Sequence, residues 1–394
     1  MGRVMRSFAV GFVVAFLLVA TFLGGYFLGG GKPSSATSQI AGFDILWRVQ
    51  DLLQANFLGD IPDAKEQVYG AARGLTGTYK DPYTVFVDPA AREVERDELR
   101  GHFGGIGAHL GRDDAGNMVL TVIRDRPADR AGVLDGDVLL AVDGKAIPPQ
   151  MSVEDAVALI RGDVGTGVLL TLQRAGQTRP FDVTVVRERI ETPSVEWRLL
   201  DQQRGIGYAR VGIFAASTFS ELLTGIEELN AQGVEKLVLD LRGNGGGLLD
   251  AAIQTTSLFL EQGNVLREVK RGGQERFYPT KSVSSPAQKW EIALLVDGGT
   301  ASASEIVAGA LRDNGRAVLI GEKTFGKGSV QEVHELPDGS SLHVTTARWL
   351  TPERHEIDKV GLEPDLSVTI SPEDQTNGRD PQLKRAQSWL EGLH

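Results

Sequence analysis

The sequence predicts an α/β protein, with a core built on a mixed sheet covered by helices, a β-rich domain inserted ahead of it, and a helical region on the N-terminal side. Three observations predict this. From about residue 190 onward, short apolar runs end in small-residue loops and alternate with helix-length segments. Between about residues 101 and 189 the pattern changes to short β-like runs separated by glycine turns. Before that, Ile45, Leu46, Val49, Leu52 and Leu53 recur at helical spacing. A chain of 394 residues has room for two or three such domains and a sizeable core.

The elements follow in order. Arg3 and Arg6 precede an uncharged, largely apolar stretch over residues 8–31, long enough to span a bilayer. The arginines favour a cytoplasmic N-terminus, which sends the remainder of the chain outside. A small-x-small cleavage site is missing before Lys32-Pro33, so the stretch reads as an uncleaved anchor in preference to a signal peptide. Residues 32–39 form a linker, and 40–100 a helical region with helices over 40–57 and 64–76. The second ends at the turn Asp81-Pro82-Tyr83, and the charged run 91–100 reads as a solvated connecting helix with no chemical role.

The insert, 101–189, carries strand candidates at 106–110, 118–122, 138–142, 168–173 and 181–186, and helices near 127–133 and over 153–160. The core, 190–370, reads as strand 206–211, helix 218–232, and strand 236–241 running into Gly243-Asn244-Gly245-Gly246-Gly247. Helix 248–260 follows, then strand 292–296, the Ser302 loop and a helix to about 313. Strand 317–320 leads into the Lys327 loop, and strand 342–347 comes late. Residues 371–394 make a C-terminal segment. Loops at strand ends are where α/β proteins place their sites.

Phe103-Gly104-Gly105-Ile106-Gly107, Asp135-Gly136-Asp137-Val138-Leu139 and Ile160-Arg161-Gly162 occur in the order found in PDZ domains of the permuted, bacterial type, which the insert resembles. The physics suits that resemblance. A glycine-rich loop ahead of an exposed strand offers backbone N–H groups to a peptide carboxylate, and the strand edge holds the peptide by β-augmentation. Gly105, Ile106 and Gly107 are the candidate peptide contacts.

Composition removes several kinds of function. The 41 Lys+Arg against 52 Asp+Glu give a net charge of −11, with no basic stripe for nucleic acid. Zero cysteines exclude disulfides, thiolate catalysis and cysteine-based zinc sites. The six histidines form no HxxxH pair and none lies in a GxSxG context, so neither a metal nor a Ser-His-Asp triad has positive support. Gly321-Glu322-Lys323-Thr324-Phe325-Gly326-Lys327 begins like a phosphate-binding loop, but Gly328 stands where Ser or Thr must hold magnesium. No cofactor is expected.

Two loops carry the chemistry: Gly299-Thr300-Ala301-Ser302-Ala303-Ser304-Glu305 and Thr324-Phe325-Gly326-Lys327-Gly328-Ser329. Serine needs a base to become nucleophilic, and a desolvated lysine can serve. Ser302 to Glu305 also has the form of a capping box. The two roles are compatible, because a helix N-terminus favours developing negative charge. Ser304, inside the first helical turn, is the rival nucleophile, and Lys323 the rival base. Phe325 and Val330 offer Lys327 apolar surroundings that lower an amine pKa. The N–H groups of Ala303 and of the glycine run can form an oxyanion hole.

These segments resemble the carboxyl-terminal processing (tail-specific) Ser/Lys proteases. The resemblance runs from about residue 40 to 370 and rests on Asp81-Pro82-Tyr83-Thr84, the Phe103 to Gly107 loop, Asp240-Leu241-Arg242-Gly243-Asn244, and the Ser302 and Lys327 loops. It implies Ser302 as nucleophile, Lys327 as general base, Gln331 as the side chain that orients the lysine, and oxyanion donors at Ala303 and the Gly246/Gly247 turn, Gly247 foremost. It also implies that Arg161 links peptide capture to activation. The sequence departs from the family at Gly245, where many relatives have proline, and over 353–358, which lack a common Ser-Gly-Arg run.

The expected function is a serine endopeptidase, exported and held at the membrane, that captures unstructured, apolar C-terminal tails of proteins and cuts them through an acyl-enzyme. An inactive PDZ scaffold and a non-peptidase hydrolase are the alternatives.

Overall fold

The computed structural model describes residues 42–392. The expected anchor, 1–31, and the linker, 32–39, lie outside the described residues. Among the described residues no helix is long and apolar enough to cross a membrane. The chain divides into two units between Val68 and Tyr69.

In the first unit, α1 (Asp44–Asn56) forms where the helical spacing predicts it. None of its residues is buried, and Trp47 is 70% exposed. Helix α2 (Ala64–Gly77) begins in this unit and ends in the second. Next come β1 (Val85–Val87) and α3 (Pro89–Arg100). Helix α3 starts on an Asp88 cap, with Pro89 in the first turn, and stops at Gly101, which takes the left-handed conformation at φ 76°.

The β-rich insert begins with β2 (His102–Gly105), β3 (Ala108–Arg112) and β4 (Met118–Val122), then the short helix α4 (Pro127–Arg130). It continues with β5 (Val138–Val142), β6 (Lys145–Ala146), α5 (Val153–Ile160), β7 (Gly167–Gln173), β8 (Phe181–Val186) and β9 (Glu188–Glu191). Its sheet runs β3-β4-β5-β7-β8, with β6 on β5. Ile106, Leu120, Val133, Leu139, Ile160 and Leu170 belong to its separate core. Strands β2 and β9 pair with each other alone and close the insert at its two ends. The strand expected at 106–110 starts two residues later, because Gly107 turns the chain at φ 69°. A Cβ there would lie 2.3 Å from Arg126 Cβ.

The α/β core comprises β10 (Val195–Asp201), β11 (Ile206–Val211), α6 (Thr218–Ala231), β12 (Lys236–Asp240), α7 (Leu249–Ser257), β13 (Asn264–Lys270), β14 (Glu275–Pro279) and β15 (Glu291–Val296). Then follow α8 (Ala303–Asp313), β16 (Ala317–Gly321), β17 (Ser329–Glu335), β18 (Ser341–Leu350), β19 (Leu366–Ser367), α9 (Pro372–Thr376) and α10 (Pro381–Leu390). One sheet runs β10-β11-β12-β15-β16-β19, parallel except for β10. Both faces are covered, as parallel sheets require. Leu237, Leu239, Ile292 and Leu294 face α6, α7 and α8, while Val238, Ala293 and Leu295 face Ala386 and Leu390 of α10.

A second sheet, β1-β18-β13-β14 with β17 on β18, is antiparallel. The sequence reading found β18 alone of this sheet. β13, β14 and β17 mix charged and apolar residues without a clean alternation, and β1 is only three residues long, so none gives a strand signal.

Candidate active site

Three neighbouring parallel strands, β12, β15 and β16, deliver three loops to one edge of the sheet. They are the glycine turn after β12, the Ser302 loop after β15 and the Lys327 loop after β16. Asn244, fully buried, joins the first two. Its carbonyl accepts from Ala301 N–H at 3.0 Å and from the Ser304 hydroxyl at 2.8 Å. Its side chain accepts from Gly246 N–H at 2.9 Å and donates to the Val211 carbonyl at 2.8 Å. Ser304 is thus buried and committed to the backbone, whereas Ser302 is half-exposed in the cleft.

Glu305 joins the second and third loops. It is completely buried, and its two oxygens accept four hydrogen bonds. Oε2 takes the Ser302 N–H and the Lys327 N–H, each at 2.9 Å. Oε1 takes the Thr324 hydroxyl at 2.6 Å and the Gly326 N–H at 2.8 Å. Burial raises the pKa of this carboxyl, against the four donors that favour its charge. The capping box read from the sequence therefore does more than start α8: its glutamate also holds the lysine loop.

Ser302 itself stands at φ 56°, ψ −117°. A non-glycine residue there is strained by roughly 1–3 kcal/mol, and such strain gathers at functional sites. The glycine turn fits around it. A Cβ on Gly246 would lie 2.9 Å from Ser302 Cβ, and one on Gly247 2.3 Å from the Phe214 carbonyl oxygen. Among the described residues neither Gly247 N–H nor Ala303 N–H has a hydrogen-bond acceptor. Both line the cleft beside Ser302.

Lys327 Nζ lies 4.9 Å from the centre of the Tyr83 ring and has no hydrogen-bond acceptor among the described residues. Burial lowers its pKa below the usual lysine value, and Glu95 opposes that shift. Gln331 does not contact the lysine by a hydrogen bond: its amide donates to the Ser329 hydroxyl at 2.9 Å and to the Thr345 hydroxyl at 3.3 Å. Lys323 is 51% exposed and paired with Glu363 at 2.7 Å, which leaves Lys327 the better placed amine. Phe325, expected to cover Lys327, is 58% exposed. Val330 does line the cleft.

The sequence reading missed two contributors. Helix α3, read as a solvated connector, brings Glu95, Glu98 and Leu99 to the cleft. His343 of β18 also lines it, 3.5 Å from Glu95, with a pKa lowered by burial. No local signal marks either, since both depend on how β18 and α3 meet. Among the described residues Asp313, Glu353 and His355 bring ligand-type atoms within 4.8 Å of one another, but none of them lines this cleft.

In the insert a second groove, of about 290 Å³, is lined by Gly105, Ile106, Gly107 and Arg161 together with Phe103 and Ile160. Ile106 N–H and Gly107 N–H have no acceptor among the described residues. The Arg161 guanidinium lies 4.0 Å from the Phe103 ring centre, and its buried Nε has no hydrogen-bond partner among the described residues.

A model described as PDZ domain matches residues 118–174, and one described as Peptidase family S41 matches residues 205–368. The carboxy-terminal-processing protease of Bartonella bacilliformis is 37% identical over 327 residues, covering 82% of this chain and 74% of that protein. The carboxy-terminal processing protease CtpA of Bacillus subtilis is 35% identical over 344 residues, covering 86% and 72%. The solved structure of a photosystem II D1 C-terminal processing protease shares 30% identity, covering 84% of this chain and 89% of that one, with a TM-score of 0.48.

Proposed function

From the premise that this chain belongs to peptidase family S41 and is a serine-type peptidase with a PDZ domain, we propose that it captures unstructured, apolar C-terminal tails and cuts them with a Ser302/Lys327 dyad. The observation that carries the reading is the Glu305 clasp. One carboxylate oxygen holds the backbone of both Ser302 and Lys327, beside two unused N–H groups at Gly247 and Ala303.

The steps follow from the residue chemistry. Gly105, Ile106 and Gly107 take the tail carboxylate on backbone N–H groups, with Arg161 at the rim of the same groove. Lys327, turned from Tyr83 toward the nucleophile as a neutral amine, removes the Ser302 proton as Oγ bonds to the scissile carbonyl carbon. The carbonyl oxygen gains the negative charge and meets the N–H groups of Gly247 and Ala303. Lys327 then gives its proton to the leaving amine, and a water attacks the Ser302 ester by the same route in reverse. Gln331, its NH2 held by Ser329 and Thr345, orients the lysine by offering its amide oxygen as an acceptor. Burial of Lys327 supports this, because a base must be neutral near working pH.

The domain bounds follow the reading: helical region 40–100, PDZ domain 101–189, protease core 190–370 and C-terminal segment 371–394. The pairing of β2 with β9 supports the insert's limits. Residues 1–31 form the membrane anchor of an extracytoplasmic enzyme, on the basis of their apolar run and preceding arginines.

The test is cleavage of one apolar peptide with a free or an amidated C-terminus. Free peptide is cut faster, Ser302→Ala and Lys327→Ala abolish cleavage, and Lys323→Ala does not. Equal cleavage of the two peptides removes the capture step. Full activity in Ser302→Ala or Lys327→Ala removes the dyad, and activity lost instead in His343→Gln would make the histidine the base.

A further inference from the structure

The motif Asp81-Pro82-Tyr83-Thr84 has no role in the reading above, yet it touches Lys327 and reaches Gln331 through Thr345. The turn is rigid by its own chemistry. Asp81 accepts from Tyr83 N–H at 3.2 Å and from the Thr84 hydroxyl at 2.6 Å. Burial pushes its carboxyl up, but hydrogen bonds with Thr345, Thr84 and Tyr83 outweigh that and hold it below the usual aspartate value.

From this turn two contacts reach the site. Tyr83, half-buried, presents its ring to Lys327 Nζ at 4.9 Å from the ring centre. Thr84 Oγ1 accepts from Thr345 N–H at 3.2 Å, and the Thr345 hydroxyl accepts from Gln331 at 3.3 Å. Strand β18 makes this possible by pairing with β1 directly after the turn and with β17, where Gln331 stands opposite Thr345. Two contacts thus leave one four-residue turn, one directly on Lys327 and one on Thr345, which in turn holds Gln331.

We propose that the Asp81–Thr84 turn positions the base: the Tyr83 ring is the resting face for the Lys327 ammonium, and Thr84, acting through Thr345, sets the Gln331 amide. This rests on the reading of Lys327 as the base. A cation is drawn to the negative face of an aromatic ring, so the ring favours the charged lysine and holds it away from Ser302 until the proton leaves. Other charges face the same space. Glu95 of α3 and His343 of β18 act on the lysine, with Arg92 and Glu335 beside the histidine. Asp358, Glu305 and Asp81 act on the tyrosine.

The experiment uses the full chain and replaces Tyr83 first by phenylalanine, then by pentafluorophenylalanine, which keeps the shape and removes the negative face. The acid limb of kcat/KM against pH stays in place for Tyr83→Phe and moves to lower pH by about half to one unit for the fluorinated ring. In the Ser302→Ala background, the pH dependence of dinitrophenylation of Lys327, read by peptide mass spectrometry, moves the same way. Thr84→Val lowers kcat about fivefold with KM unchanged, and has no further effect in Gln331→Ala.

Superimposed limbs and labelling curves for the two aromatic variants overturn the Tyr83 role. Equal effects of Thr84→Val with and without Gln331 overturn the Thr84 role. The underlying reading fails separately, if Lys327→Ala still cleaves, and the labelling curve reports on the ring contact in either case.

Discussion

Replacing Glu305 by glutamine keeps the shape of the clasp and changes what it can accept. The carboxylate serves two donors on each oxygen: Ser302 and Lys327 N–H on Oε2, Thr324 hydroxyl and Gly326 N–H on Oε1. The amide must turn its NH2 toward one pair. The hydroxyl of Thr324 can accept a hydrogen bond, so the NH2 goes to that side, and the buried Gly326 N–H is left facing a donor. The Thr324 hydroxyl also accepts from Leu362 N–H at 2.7 Å, so its own proton loses its acceptor.

One or two buried donors left unpaired cost about 1–3 kcal/mol each, partly offset by no longer burying a charge, giving about 3 kcal/mol of lost stability. On the other oxygen, Ser302 and Lys327 keep an acceptor, but a neutral one worth about half as much. Roughly 1.4 kcal/mol less grip on a strained Ser302 lowers its productive population, and kcat, about tenfold. Urea unfolding and initial rates on a free-C-terminus peptide read the two effects. A Glu305→Gln protein as stable and as fast as the parent would refute the clasp.

Three further outcomes follow from the same geometry. Gly246→Ala puts a Cβ against Ser302 at φ 115° and lowers kcat about ten- to a hundredfold, while Gly245→Ala, with open space around it, stays near the parent in the same peptide assay. Lys327→Met is more stable than the parent at neutral pH. The buried lysine has a folded pKa below its unfolded value of 10.5, so the unfolded chain binds more protons between the two. The parent therefore gains stability as pH rises through that window, and the difference in urea midpoints narrows toward pH 10.5. Arg242→Met loses about 3 kcal/mol by the same measurement, because Arg242 bridges the buried Asp240 to Asp380, the N-cap of α10, and to Gln382 within that helix.

The sequence showed the site where its signals are local. Ser302 and Lys327 stand in small-residue loops after apolar parallel strands, and the strand-loop-helix order places those loops on one edge. Of the groove glycines, Gly107 was legible because the turn leaves no alternative: it stands at φ 69°, and a Cβ there would lie 2.3 Å from Arg126 Cβ. Glu305 was visible only as a helix cap, since its grip on Gly326 and Lys327 depends on the tertiary fold. The backward turn of Ser302 carries no sequence mark, because serine is not a residue that announces positive φ. Glu95 and His343 sit on a charged helix and a half-exposed strand, where periodicity cannot tell a solvated face from the wall of a cleft.

The Thr84–Thr345 hydrogen bond spans 261 positions, and that length has a consequence during synthesis. A ribosome delivers the Asp81–Thr84 turn early, the Ser302 loop much later and β18 almost at the end. Until β18 is out, β1 has no edge to pair with, the turn has no anchor and Gln331 no opposite strand. A growing or prematurely ended chain can thus carry the Ser302 loop without the strand that stands opposite Gln331. The β17–β18 side of the Ser302 cleft is therefore among the last parts of the fold that synthesis completes.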